Sequence, residues 1–76
     1  MPHVIIKMYA GKSAKQKQQI ADAVTQTIMT TMGHGADAVS VSIEDIAPAD
    51  WAEKVYKPDI LNGAGTLYKK PGYGPS

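Results

Sequence analysis

Residues 38–46 read AVSVSIEDI, in which Val39, Val41 and Ile43 alternate with Ser40, Ser42 and Glu44. That two-residue period marks a β-strand. Residues 2–9, PHVIIKMY, are also rich in β-formers. Here Val4, Ile6 and Met8 share one face, and His3, Ile5, Lys7 and Tyr9 share the other. Both faces carry apolar groups, so this strand is expected to be covered on both sides. Between the two strands, Ile20, Val24, Ile28 and Met32 recur every fourth residue, flanked by Ala21 and Thr31. Lys15, Lys17, Gln18, Asp22 and Gln26 fall mostly on the opposite, wet side. The spacing predicts a helix over about residues 14–32. Ser13 and Gln16 give it a capping-box start, and Gly33-His34-Gly35 gives it a glycine stop. A helix of that length is enough of a crossover for the strands to lie parallel. The fold class is α/β (α+β), a β-α-β unit.

After Pro48 the pattern weakens. Asp50 is placed to cap a short helix through Trp51, Val55 and Tyr56, ending before Pro58. Residues 59–68 have room for one more short element, although Gly63 and Gly65 count against it. The tail KKPGYGPS, residues 69–76, reads as a turn and a loose end. No repeat or internal boundary is visible. The expected organisation is one domain over residues 1–76, with a core at 2–51 and a C-terminal extension at 52–76.

A 76-residue chain buries a small share of its surface, and such chains usually need disulfides, a metal or self-association. There is no cysteine, and His3 and His34 are the only histidines. Disulfides are therefore excluded and the common zinc sites are disfavoured. Self-association remains. Two parallel strands make a poor sheet alone, but two copies aligning theirs would form four strands backed by two helices. Such a dimer also hides an edge that invites aggregation.

A net charge of +1 without a dense basic cluster argues against nucleic-acid binding. The opening MPHVIIKMY has neither a basic leader nor a long apolar core. No apolar run approaches the roughly 18 residues that span a bilayer. The expected location is the cytoplasm.

Several short features occur together in order. Met1-Pro2 leads directly into a strand. Gly11-Lys12-Ser13 opens the helix, and VSVSI (39–43) is followed by I-x-P-x-x-W at Ile46, Pro48 and Trp51. Lys69 to Tyr73 read KKPGY. In this combination the chain resembles the 4-oxalocrotonate tautomerase family over roughly residues 2–51. Its end resembles the longer, dimer-forming PptA-like branch. The resemblance implies a β-α-β protomer, a homodimer (hexamers being the rule among shorter members) and catalysis by an amino-terminal proline. It also implies enols of 2-oxo acids as substrates and an isomerase that needs no cofactor or metal.

The chemistry of the residues agrees. Removal of Met1 would leave Pro2 as a secondary amine on a rigid ring. A free α-amino group titrates at about 7.7–8.0, and proline is somewhat more basic. Burial or a nearby cation lowers such a value toward the working pH, where a proton shuttle is most efficient. The amine would take the 2-hydroxyl proton of the enol and deliver a proton to carbon. The resemblance points to Lys12, from the same or a neighbouring chain, as the cation that holds a substrate carboxylate, and to Trp51 as a pocket wall. Two departures matter. Lys12 and Ser40 stand where well-known members carry arginines. Lysine is a point charge without a bidentate fork, and Ser40 donates one hydrogen bond but neutralises nothing. A phenylpyruvate-like monocarboxylate is therefore favoured over dicarboxylates, and hydrolytic dehalogenation is disfavoured.

Each residue also has a plainer explanation. Pro2 suits a strand start, Lys12 suits a solvated turn, and Ser40 faces outward by alternation. Trp51 suits a core or an interface. His34 suits a helix-end loop, Lys69 and Lys70 a solvated pair, and Met8, Met29 and Met32 core filler. His3 adjoins Pro2 and is a candidate to tune it. The competing functions are a hydratase or decarboxylase-like relative using the same proline, and a non-catalytic oligomeric ligand-binding module.

Overall fold

The fold is taken from a computed structural model that describes residues 1–74. Pro75 and Ser76, the last residues of the expected loose end, lie outside it. The chain runs through strand β1 (His3–Tyr9), helix α1 (Ala14–Met32), strand β2 (Ser40–Ile46) and a π-helix (Ala52–Leu61). β1 and β2 pair in parallel, with His3 opposite Ser40, Ile5 opposite Ser42, Lys7 opposite Glu44 and Tyr9 opposite Ile46. The β-α-β architecture is as expected.

α1 starts where its cap dictates. The Ser13 side chain accepts the Gln16 backbone N–H at 3.1 Å, and the Gln16 side chain accepts the Ser13 backbone N–H at 3.1 Å. These bonds satisfy two amide groups that the first turn leaves without partners. The helix ends at Gly33, whose φ of 75° is easily adopted only by glycine. Its N–H closes onto the Met29 carbonyl at 3.0 Å. Ile20, Ala21, Val24, Thr25, Ile28 and Met29 are half-buried. This corrects the stripe and the core-filler reading at one end: Met32, the last residue of α1 before the Gly33 cap, is 53% exposed. Lys17, expected on the wet side, is half-buried and pairs with Asp45 at 2.5 Å. It thereby ties the start of α1 to the end of β2.

Other boundaries differ as well. β2 begins at Ser40 and not at 38, since Ala36–Ala38 form a 3-10 turn capped by Val39. Asp50 does not cap a helix. It closes a 3-10 turn, Pro48–Asp50, and pairs with Lys54 at 3.4 Å. The following helix does not end before Pro58. It contains Pro58 and continues to Leu61. In an α-helix the proline ring meets the carbonyl four residues back. Here the bonds reach five residues back, as from the Asn62 N–H to the Lys57 carbonyl at 3.1 Å, and this wider winding makes room for the ring. No further regular element follows Leu61 among the described residues. The tail nevertheless returns to the body, for Gly74 lies so close to the Tyr56 ring that a β-carbon there would stand 2.7 Å from the hydroxyl.

One layer is α1 against the inner face of the sheet. The other is the π-helix against the outer face, where Lys7 pairs with Asp59 at 2.5 Å. Val55, 4% exposed, is the only fully buried hydrophobic residue among those described. The expectation that β1 is covered on both faces is met only in part within one chain, since Ile5 remains 57% and Tyr9 52% exposed. The chain exposes 5784 Å², whereas a compact monomer of this size exposes about 4500 Å². No helix among the described residues is long and apolar enough to cross a membrane.

Replacing Ser13 with alanine is expected to cost about 1 kcal/mol through loss of the cap. The measurement is the urea midpoint at fixed protein concentration, and an unchanged midpoint would remove the cap from the account of stability.

Candidate active site

The two ends of the sheet carry different chemistry. At the leading end, Pro2 stands half-buried immediately before β1. Its carbonyl accepts the Ser40 N–H at 3.2 Å, which sets the parallel register. His3 Nδ1 lies 2.6 Å from Ser40 Oγ. Pro2, His3 and Ser40 thus form one cluster. In the described chain Met1 still precedes Pro2 and is almost fully exposed, and acylation by Met1 makes the Pro2 nitrogen an amide without a basic lone pair.

At the trailing end are Lys12 and Trp51. Lys12 is exposed in the turn after β1, beside Gly11 at φ 127°. The Trp51 ring meets Tyr9, the last residue of β1, edge to face at 5.0 Å and 82°. The seven residues of β1 at about 3.3 Å each separate the ends by roughly 20 Å. Lys12 of one chain therefore does not meet Pro2 of the same chain, and Trp51, packed on Tyr9, reaches back along the outer face to a cavity over Ile5 that Pro2 does not line.

Two cavities open on the outer face. The larger, 540 Å³, is walled by Tyr9, Trp51 and Tyr56, and by Pro71 and Tyr73 from the returning tail. The smaller, 400 Å³, lies over Ile5, Trp51 and Val55. Lys7 borders both but is committed elsewhere. Its hydrogen bond to Asp59 is the main cause of a pKa raised above 10.5, with Glu44 at 4.0 Å adding to it. The stabilisation from that contact is present below the unfolded lysine value and is lost only as pH rises through the higher folded value. Lys7 stays paired across the neutral range. The chain has no arginine. Lys7, Lys17, Lys54 and Lys57 are all paired with carboxylates, whereas Lys12 has no such partner among the described residues.

Comparison with known proteins agrees with this architecture. The model of the tautomerase enzyme family matches residues 2–55. The chain belongs to the tautomerase family. A probable tautomerase from Xylella fastidiosa is 45% identical over 97% of this chain and 90% of its own length. The tautomerase PptA of Cronobacter sakazakii is 34% identical over 96% and 97%. A 4-oxalocrotonate tautomerase isozyme from Methylibium petroleiphilum superposes with a TM-score of 0.64 at 30% identity, covering 66% of this chain and 81% of that one. This tautomerase is an isomerase, and its full-length likeness to PptA puts it on the PptA-like branch.

Three features of the site were not read from the sequence. The alternation put His3 on the outer face of the tautomerase, but the register opposite Ser40 follows only from the folded pairing. Lys7 looked like an ordinary strand lysine until Asp59 was brought against it by the π-helix. The tail wall had no periodic signal at all. Its clue was the run of tyrosine, proline and glycine at residues 71–74, which suits close packing on an aromatic ring.

Trp51 is the single tryptophan, so its emission reports on this corner. Tyr9→Ala is expected to shift that emission to longer wavelength as water reaches the indole. An unmoved maximum would mean that Tyr9 does not shield it.

Proposed function

We propose that the mature protein is a keto–enol tautomerase for 2-oxo acid enols of the phenylpyruvate type, with Pro2 as its acid–base residue. Loss of Met1 frees the Pro2 amine. The neutral amine takes the proton from the 2-hydroxyl of the enol. The resulting ammonium delivers a proton to C3, which leaves the 2-oxo acid and regenerates the amine. The observation that carries this proposal is the position of Pro2, which opens the family-matched segment and is held at the head of β1 by the Ser40 N–H. No cofactor enters the scheme.

The separation of the sheet ends supports a site shared between two copies. A partner whose strands run opposite to these would bring its Lys12 and Trp51 toward Pro2. Lys12, without a carboxylate partner among the described residues, would then hold the substrate carboxylate, Ser40 would act beside Pro2 through its contact with His3, and the aromatic cavity around Trp51 would receive the apolar side chain. The half-open outer face of β1 and the excess exposed surface favour such a homodimer, with a four-stranded sheet backed by two α1 helices. In this proposal residues 1–76 form one domain, residues 52–76 are its extension, and the enzyme acts in the cytoplasm. With no arginine in the chain and Ser40 uncharged beside Pro2, a single lysine anchor suits a monocarboxylate, since a second carboxylate at the Pro2 end would be desolvated without a counter-charge.

The test is ketonisation of phenylenolpyruvate, followed by loss of enol absorbance, with protein whose N-terminus is confirmed as Pro2. Turnover well above buffer is expected. Pro2→Ala is expected to reduce kcat by at least about 100-fold with the fold intact, the size of a lost acid–base group. Unchanged turnover would overturn the shuttle, and no acceleration by the parent protein would leave a binding module as the better description. Lys12→Ala is expected to lower kcat/KM by about tenfold, as loss of a carboxylate anchor would. Equal kcat/KM would exclude Lys12 from the site.

A further inference from the structure

We propose that His3 is a second catalytic residue, donating a hydrogen bond from Nε2 to the C2 oxygen of the substrate, and that Ser40 is the residue that positions it. The proposal rests on the tautomerase mechanism in which Pro2 is the acid–base residue.

The mechanism leaves a gap at the oxygen. Pro2 carries one transferable proton at a time. Once it has removed the 2-hydroxyl proton and before C3 is protonated, the C2 oxygen bears negative charge. A preorganised donor aimed at such an oxygen is among the strongest ways an enzyme lowers a barrier. Lys12 and Trp51 of the same chain lie at the far end of the sheet, and a lysine bound to the substrate carboxylate is already occupied. At the Pro2 end, His3 has the side-chain N–H best placed for the task. It follows Pro2 directly, one Cα step of about 3.8 Å away.

The geometry around His3 is that of a held ring. His3 and Ser40 are register partners, so their side chains rise from the same face of the sheet. Ser40 is itself fixed by its backbone bond to Pro2. In the proposed arrangement Ser40 Oγ–H donates to Nδ1 across the 2.6 Å contact, which leaves the ring proton on Nε2. That nitrogen has no protein partner among the described residues, and His3 is exposed. In that arrangement the serine contact favours one tautomer and one ring orientation before substrate arrives, which lowers the ordering cost at the reactive step. A serine without this partner would be only an outward strand residue, and a histidine without the serine would rotate freely about χ1 and χ2.

The experiment is steady-state ketonisation of phenylenolpyruvate by dimer-checked protein with a confirmed Pro2 terminus. The variants are His3→Ala, His3→Gln, Ser40→Ala, Ser40→Thr and His3→Ala/Ser40→Ala. His3→Ala is expected to lower kcat by about 10- to 100-fold with little change in KM, because the donor acts on charge that exists only during reaction. His3→Gln, which keeps an N–H donor, is expected to recover part of that loss. Ser40→Ala is expected to lower kcat by several-fold, and Ser40→Thr to restore most of it. The double variant is expected to match His3→Ala alone, since Ser40 acts through the ring. Parent-like kcat in His3→Ala, with the parent turning over, would overturn the assignment of His3 and leave the Pro2 mechanism standing. Additive losses in the double variant would overturn the positioning assignment of Ser40. A parent protein that fails to accelerate ketonisation would overturn both this proposal and the mechanism on which it rests.

Discussion

β1 and β2 lie side by side in parallel, with the Pro2 carbonyl taking the Ser40 N–H at one end and Tyr9 opposite Ile46 at the other. Parallel pairing sorts the chain's chemistry by direction. Everything that precedes a strand gathers at the leading end, and everything that follows one gathers at the trailing end. Pro2, His3 and Ser40 therefore meet, while the Lys12 turn and the Trp51 corner collect some 20 Å away, roughly the length of β1. An antiparallel pair would have mixed these groups within a single chain. Because the pair is parallel, one protomer carries the two groups of residues at opposite ends, and in the proposed homodimer the symmetry that covers an open strand edge would also unite them.

The small core follows from the same constraint. A two-stranded sheet has two free edges and two faces, and a 76-residue chain has one long helix with which to cover them. α1 covers the inner face. The outer face receives only the π-helix and the returning tail, which bury Val55 and leave Ile5 and Tyr9 half open. With no cysteine to form a cross-link, the proposed homodimer is the source from which such a chain would draw further apolar burial. The cavities along Trp51 and Tyr56 lie on that same incompletely covered face. Aromatic groups there serve packing and pocket at once, because both need large rigid surfaces that exclude water.

How much of this could be read beforehand differs by element. The approximate extent of α1 was legible because two local chemical devices bound it: the reciprocal Ser13–Gln16 cap and the left-handed Gly33. The two faces of β1 and β2 were legible because alternation is a property of the backbone and not of its neighbours. Met32 was misplaced because periodicity says which residues share a face but not how far along the helix that face stays covered. Pro58 was read as a terminator because proline ends α-helices. That rule concerns the carbonyl four residues back and does not carry over to a helix bonded at five. The tail was read as loose for lack of any pattern, although its glycine at 74 is small for a reason that only the Tyr56 ring reveals. The candidate residues Pro2, Lys12, Ser40 and Trp51 were named from the sequence, while their partition between two ends of the sheet needed the register.

The distribution of charge narrows the chemistry further. All eight basic residues are lysines, and half of them are engaged with carboxylates in pairs that join elements or adjacent helical turns. Lys7 shows what such engagement means: it borders both cavities, yet Asp59 and Glu44 hold it, so it offers a bound anion little. Lys12, Lys15, Lys69 and Lys70 make no carboxylate pair among the described residues, and of these Lys12 is the ammonium that the proposed mechanism sets in the turn after β1 to hold the substrate. A lone ammonium fixes a carboxylate by position and not by plane. Orientation of the reacting carbon must then come from elsewhere, from shape in the aromatic cavity and from short polar contacts at the leading end. In the proposed mechanism a rigid proline ring, a histidine held by a serine and an aromatic wall would supply that orientation without further charge, which suits a flat, conjugated enol bearing a single carboxylate.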